Sequence, residues 1–258
     1  MSSPSLSELV AVVTGAGGDL GAAYVSALGS AGASVLAVDL PLAAAPGIAA
    51  ADAASAAGPG RAVFVEADVT DDDDLARVVA AARDRLGGLD VLVNNAAVYA
   101  GLGGKRPLWE LDTAEWDRVL TVNVRAVWQA IRAVLPAMRA AGGGRIVNVS
   151  SSTARAGTPG FLHYVASKAA VEGLTRAAAK ELGEFAITVN CLAPGLVSDE
   201  ASFRVSGREY VANAAQGRSL KREMAPDDLV GTLLWLCSPA SSFVTGQTIV
   251  VDGGQVMV

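Results

Sequence analysis

The sequence predicts an α/β protein built on one doubly wound, mostly parallel sheet of seven strands with helices on both faces. Short β-branched runs alternate with longer helical stretches from the start of the chain. Those runs are nearly all apolar rather than alternating, the pattern of strands covered on both sides. No internal repeat, long linker or composition break divides the 258 residues, so right-handed crossovers would fold residues 1–258 as a single domain.

The strand candidates are 9–14, 34–39, 62–68, 89–95, 145–150 and 187–194, and 247–254 ends the series. Helical patterns fall at about 19–31, 71–86, 112–141, 161–183 and 226–238. "DTAE" at 112–115 has the form of a capping box with Asp112 in the cap position. Pro136 is expected to kink the long helix around it or end it early. Residues 196–225 follow a strand end, have weak periodicity and mix Ser, Arg, Glu and Gly. Ligands of such sheets bind outside the carboxyl ends of the strands, which makes this segment a candidate substrate-side lid.

Composition narrows the function. Hydrophobic residues make up 52% and charged ones 18%, the balance of a folded globule. The Ala-rich stretch "LAAAPGIAAADAASAAG" is interrupted by Pro46, Gly47 and Asp52, so it offers no uninterrupted membrane span. "MSSPSLSELV" has neither a basic nor an apolar leader region, and a soluble cytoplasmic protein is expected. Two cysteines, Cys191 and Cys237, and one histidine, His163, argue against a disulfide framework and against a zinc site. The net charge of -6 argues against a nucleic-acid surface. The acidic run "TDDDD" at 70–74 admits a cation site, but a helix start capped by Thr70 explains it more simply.

"VVTGAGGDLGAAY" joins the first strand to the first helix, where a glycine-rich turn and helix N–H groups can cradle a pyrophosphate. Gly15, Gly17 and Gly21 fit the spacing TGxxxGxG, and Leu20 lies within the same turn. Asp19 stands where the middle glycine is expected. It either caps the helix with its side chain or competes with the pyrophosphate for the same donors. Asp39 ends the second strand, beside Leu40. A carboxylate there accepts hydrogen bonds from an adenosine ribose and repels a 2′-phosphate. With no Arg or Lys in the turn, NAD is favoured over NADP.

Tyr164 and Lys168 in "HYVASKAAVEG" lie one helical turn apart and share a face. Together with "TGAGGDLG", "NNAA" at 94–97, Asn123 in "TVNV", "NVSSS" at 148–152, "APG" at 193–195 and "TGQTIVVDGG", they give a chain that resembles the short-chain dehydrogenase/reductase family over nearly its whole length. The resemblance implies a single-domain Rossmann fold, an NAD cofactor and a small alcohol or carbonyl substrate. It implies Tyr164 as general acid/base, Ser151 as the residue holding the substrate oxygen, and Lys168 as the partner gripping the nicotinamide ribose. Ser151 precedes Tyr164 by the family's thirteen residues. A free phenol has a pKa of about 10, and the Lys168 ammonium and a bound nicotinamide cation are expected to lower it. Asn123 would help hold a water that relays protons.

Further cofactor positions follow from the same motifs: Asp68 and Val69 at the adenine, Asn95 and Ala96 near the ribose, and Pro194, Gly195 and Val197 at the carboxamide. Ala97 replaces the usual glycine of NNAG, and Asp199 a common threonine for which Ser198 could substitute. The family also implies a homotetramer or homodimer built on the long helices. The expected activity is NAD(H)-dependent interconversion of a secondary or aromatic alcohol and its carbonyl. An NADPH-dependent β-ketoacyl reductase is the nearest rival, and a non-catalytic NAD-binding or sensing protein is a rival of another class. His163 is expected to pack, or else to touch substrate.

Overall fold

The structure is a computed structural model and describes residues 6–257; the first five residues of the segment read for a leader lie outside it. Seven strands form one sheet: β1 (Val10–Thr14), β2 (Ser34–Asp39), β3 (Ala62–Glu66), β4 (Val91–Asn94), β5 (Gly144–Val149), β6 (Ile187–Pro194) and β7 (Thr248–Val251). Their order is β3-β2-β1-β4-β5-β6-β7, and every pairing is parallel rather than merely most of them. Order reverses between β1 and β4, which opens a crevice at their carboxyl ends.

Ten helices complete the described chain: α1 (Asp19–Ser30), α2 (Ala44–Ala57), α3 (Asp72–Leu86), α4 (Thr113–Leu120), α5 (Ala126–Ala140), α6 (Thr153–Ala156), α7 (Leu162–Leu182), α8 (Glu200–Ser206), α9 (Arg208–Ala214) and α10 (Asp227–Cys237). One buried cluster packs α1, α2 and α10 on the first face of the sheet. The other packs α3, α5 and α7 on the second. Strand side chains point alternately to these two cores: Ala11 and Val13 to one, Val10 and Val12 to the other. The apolar strands therefore have both faces buried.

Four departures from the sequence reading have physical causes. The helix α2 has alanine on all sides and so carries no apolar stripe to mark it; Pro46 sits in its first turn, where a missing N–H is harmless. Gly47 is required there because a β-carbon would meet the Phe64 ring at 2.3 Å. The predicted helix 112–141 is split by a π turn at Thr121–Arg125. Pro136 neither ends α5 nor shortens it, because it lies on the exposed face, where the carbonyl it deprives of a partner can turn to water.

The acidic run starts α3, as expected, but the cap is Asp71, whose Oδ1 accepts from the Asp73 and Asp74 N–H groups. The Thr70 hydroxyl donates to Asp68 instead, at 2.7 Å. No metal-binding cluster forms among the described residues. Asp112 does cap α4 by accepting from the Glu115 N–H at 2.7 Å. Glu115 does not reach back to close the box, because Arg106 and His163 hold its carboxylate. No helix of the described residues is long and apolar enough to cross a membrane.

Candidate active site

A cavity of about 990 Å³ runs along the carboxyl edge of the sheet. The turn after β1 forms one end with Gly15, Asp19, Leu20 and Gly21, and Asp39 and Leu40 follow from the end of β2. Asp68, Val69, Asn95 and Ala96 line its floor. Ser151, Tyr164, Lys168, Pro194, Gly195 and Val197 form the far end. Of the residues singled out from the sequence for the site, Gly17, Asn123, His163 and Ser198 do not line it.

The turn has the shape its glycines allow. Gly15 has φ of 67°, a left-handed conformation that costs other residues strain. A β-carbon on Gly21 would stand 2.0 Å from the Gly15 carbonyl oxygen, so α1 can approach the turn only without a side chain there. Gly17 acts from behind: its N–H donates to Asp39 Oδ2 at 2.8 Å, and Asp39 Oδ1 accepts from the Leu40 N–H. The Asn95 amide donates to the Thr14 and Gly15 carbonyls at 3.1 Å, fixing the end of β4 to the turn. Thr14 adds a second tie that the sequence reading missed, its hydroxyl accepting from the Asn95 and Ala96 N–H groups.

Asp19 does neither thing expected of it. The cap residue of α1 is Gly18, and no side chain caps the helix. Its first-turn donors therefore remain open toward an anion. The Asp19 carboxylate instead crosses the cleft and accepts from the Glu200 N–H at 2.9 Å, tying the phosphate turn to the start of α8. Asp199 caps α8 through the Ser202 N–H. The Ser198 hydroxyl donates to Glu223, and Ser198 does not line the cavity. Ala97 lies exposed on the cavity wall.

The segment 196–225 does fold over the cavity, as α8 and α9 anchored at their base. Arg218 is 2% exposed, and its guanidinium donates to the carbonyls of Leu196 and Arg222. From this segment Ser202 and Ser206 line the cavity with Tyr99, and the Tyr99 ring lies 5.3 Å from that of Tyr164. No periodicity or motif distinguished Tyr99 in the sequence; only the fold brings it over Tyr164.

Helix α7 carries Tyr164 and Lys168 on its buried face, 7% and 3% exposed. Ser151, which follows the end of β5, lines the cavity with Tyr164, and its hydroxyl accepts from that of Thr153 at 3.0 Å. The Lys168 ammonium donates to the Val149 carbonyl at 2.8 Å and stands 5.7 Å from the Tyr164 ring centre. The phenol is not acidified in the free protein. Burial pushes its pKa above the ordinary value, the neighbouring Tyr99 and Asp199 add to the rise, and Ser151 opposes it. Burial also lowers Lys168, to about 8. Desolvation disfavours charge on both groups and outweighs their mutual attraction.

Asn123 is buried in the π turn. Its Oδ1 accepts from the Val98 N–H at 2.7 Å, and its amide donates to Ser167 at 3.1 Å. Its side chain thus braces the wall beside Tyr99 against α7. His163 faces away from the cavity and packs at 1% exposure against Glu115, with Nε2 at 3.1 Å.

Comparison with known proteins agrees with this architecture. A family model described as enoyl-(acyl carrier protein) reductase matches residues 15–255. An uncharacterized oxidoreductase of Mycobacterium tuberculosis is 40% identical over 251 residues, covering 96% of this chain and 97% of the relative. A 3-oxoacyl-[acyl-carrier-protein] reductase of Synechocystis is 34% identical over 257 residues, covering 98% and 99%. The crystal structure of a dehydrogenase/reductase from Sinorhizobium meliloti superposes with a TM-score of 0.88 at 34% identity, covering 98% and 97%. The chain belongs to the short-chain dehydrogenase/reductase family. It is an oxidoreductase of a family that uses nicotinamide cofactors.

The Lys168 value has a consequence for stability. Between pH 8 and 10 the unfolded chain holds the Lys168 proton while the folded chain releases it, so stability rises with pH through this group. The stability of the cofactor-free wild type minus that of Lys168→Met should therefore grow from pH 8 to 10 in parallel urea titrations. A flat difference would mean that the ammonium is not buried.

Proposed function

We propose that this oxidoreductase interconverts a secondary or aromatic alcohol and its carbonyl, with NAD(H) as cofactor and Tyr164 as general acid/base. The observation that carries the reading is the meeting of Tyr164, Ser151 and Lys168 in a cavity that runs on to an uncapped helix N-terminus. The cavity residues suit a dinucleotide. The open donors of α1 and the Gly15 turn would hold the pyrophosphate, and Asp39 the adenosine ribose. Asp68 and Val69 would edge the adenine; Asn95 and Ala96 would border the ribose. Pro194, Gly195 and Val197 would meet the carboxamide, and Lys168 the nicotinamide ribose. When bound, the nicotinamide takes up or delivers the hydride.

The protein's own part is proton transfer and alignment. In oxidation Ser151 holds the carbinol oxygen and Tyr164 removes its proton; in reduction Tyr164 returns it. A phenol kept neutral by burial needs positive charge nearby before it can act as a base. Lys168 supplies one such charge below its pKa of about 8. The cationic ring of oxidised cofactor supplies another. Asn123 serves as a positioning residue, since its side chain is spent on Val98 and Ser167. By family analogy the long helices α5 and α7 assemble the chain into a homotetramer or homodimer.

The Synechocystis relative, a 3-oxoacyl-[acyl-carrier-protein] reductase, favours a β-ketoacyl reductase as second reading. Asp39, which would repel a 2′-phosphate, and the net charge of -6, which would repel an acidic carrier, weigh against it. Binding without chemistry is less well supported, because the complete set of Asn123, Ser151, Tyr164 and Lys168 argues for turnover, and the last three line one cavity.

Tyr164→Phe should abolish nearly all turnover of an alcohol panel with NAD while NADH binding stays measurable by fluorescence. Substantial residual activity would overturn the assignment. Asp39→Ala with Leu40→Arg should shift the ratio of kcat/KM for NAD and NADP toward NADP by tenfold or more, on the order of one to three kcal/mol. An unchanged ratio would contradict the role given to Asp39.

A further inference from the structure

Two cations at the substrate end of the cavity lack an acidic partner. Lys105, on the loop after β4, and Arg118, on α4, both line the cavity. Among the described residues neither lies within 4.0 Å of a carboxylate. Arg118 donates to the Gly101 carbonyl. The Lys105 ammonium makes no hydrogen bond among the described residues; it stands 3.8 Å from the Tyr210 ring centre on α9 and 5.9 Å from that of Phe161.

This arrangement holds the ammonium in place without neutralising it. Aromatic faces attract a cation, but they leave its charge and its N–H donors available to a further ligand. Phe161 belongs to the same apolar cluster as Tyr164, with Tyr99 packed against it. Of the acidic residues that line the cleft, Asp19, Asp39 and Asp68 stand at or beside the glycine turn, Asp117 neighbours Arg118 on α4, and Asp199 caps α8. Lys105 has none of them as an ion-pair partner, so its charge is available to a negative group on the substrate.

We propose that the substrate carries a carboxylate, held by Lys105 with help from Arg118, and separated by an apolar or aromatic body from the carbinol at Tyr164. The inference rests on the alcohol/carbonyl reading of the site and names its substrate class. A single ammonium suits a monoanion better than a phosphate.

The test uses wild type, Lys105→Met and Lys105→Arg with NAD and two alcohols that differ by one charge: 4-(1-hydroxyethyl)benzoate and its methyl ester. Wild type should prefer the carboxylate. In Lys105→Met the carboxylate-to-ester ratio of kcat/KM should fall about five- to tenfold, mainly through KM. Lys105→Arg should keep most of the preference. If Lys105 only clasps α9 through Tyr210, both substrates will weaken together with the ratio unchanged, which overturns the proposal.

Calorimetric binding of 4-acetylbenzoate and its methyl ester to the NADH-loaded protein separates this inference from the reading beneath it. A carboxylate preference that Lys105→Met removes supports the inference even without turnover, in which case the alcohol chemistry is what fails. Binding with no charge preference overturns it even if both alcohols are oxidised.

Discussion

Desolvation of the Tyr164–Lys168 pair is the constraint on which the site depends. Both side chains come from one buried face of α7, and burial pushes each toward its neutral form. A phenol and an ammonium in water would differ little from their free values. Here the dry wall made by Tyr99 and α8 raises one and lowers the other. Burial alone therefore keeps the phenol neutral, and further positive charge brought into the cavity would favour its ionisation.

The rest of the fold serves to hold that wall and the opposite, glycine-turn end at fixed separation. The reversal of strand order between β1 and β4 opens the crevice, and Thr14, Asn95 and Asp39 lock the glycine turn into it. The π turn around Asn123 braces Val98 and thereby the Tyr99 side of the cavity. Asp19 links the two ends. Placed where a glycine is usual, it leaves the helix donors free and bonds the start of α8, so a departure from the motif becomes a contact across the cleft.

Much of this was legible in the sequence because it repeats locally. Apolar strands, Gly spacing and the four-residue step from Tyr164 to Lys168 are short-range patterns, and the structure brings those residues to one cavity. What escaped has no short-range signature. The helix α2 was hidden because alanine gives no amphipathic period. The split at Thr121–Arg125 follows from a change in hydrogen-bond register that composition does not mark. Tyr99, Lys105 and Tyr210 matter only because loop and lid converge over α7. The rise of the Tyr164 pKa in the free protein escaped for a related reason: spacing reveals the nearby cation, but burial depends on elements far away in the chain.

The central claim is that the phenol stays protonated until positive charge enters the cavity. Ultraviolet difference titration of tyrosinate, in the free protein and in its complex with NAD, tests it most directly. The account predicts one tyrosine that ionises at clearly lower pH in the complex than in the free protein, and whose signal vanishes in Tyr164→Phe. The same ionisation with and without NAD, or a shifted signal that persists in Tyr164→Phe, would contradict it.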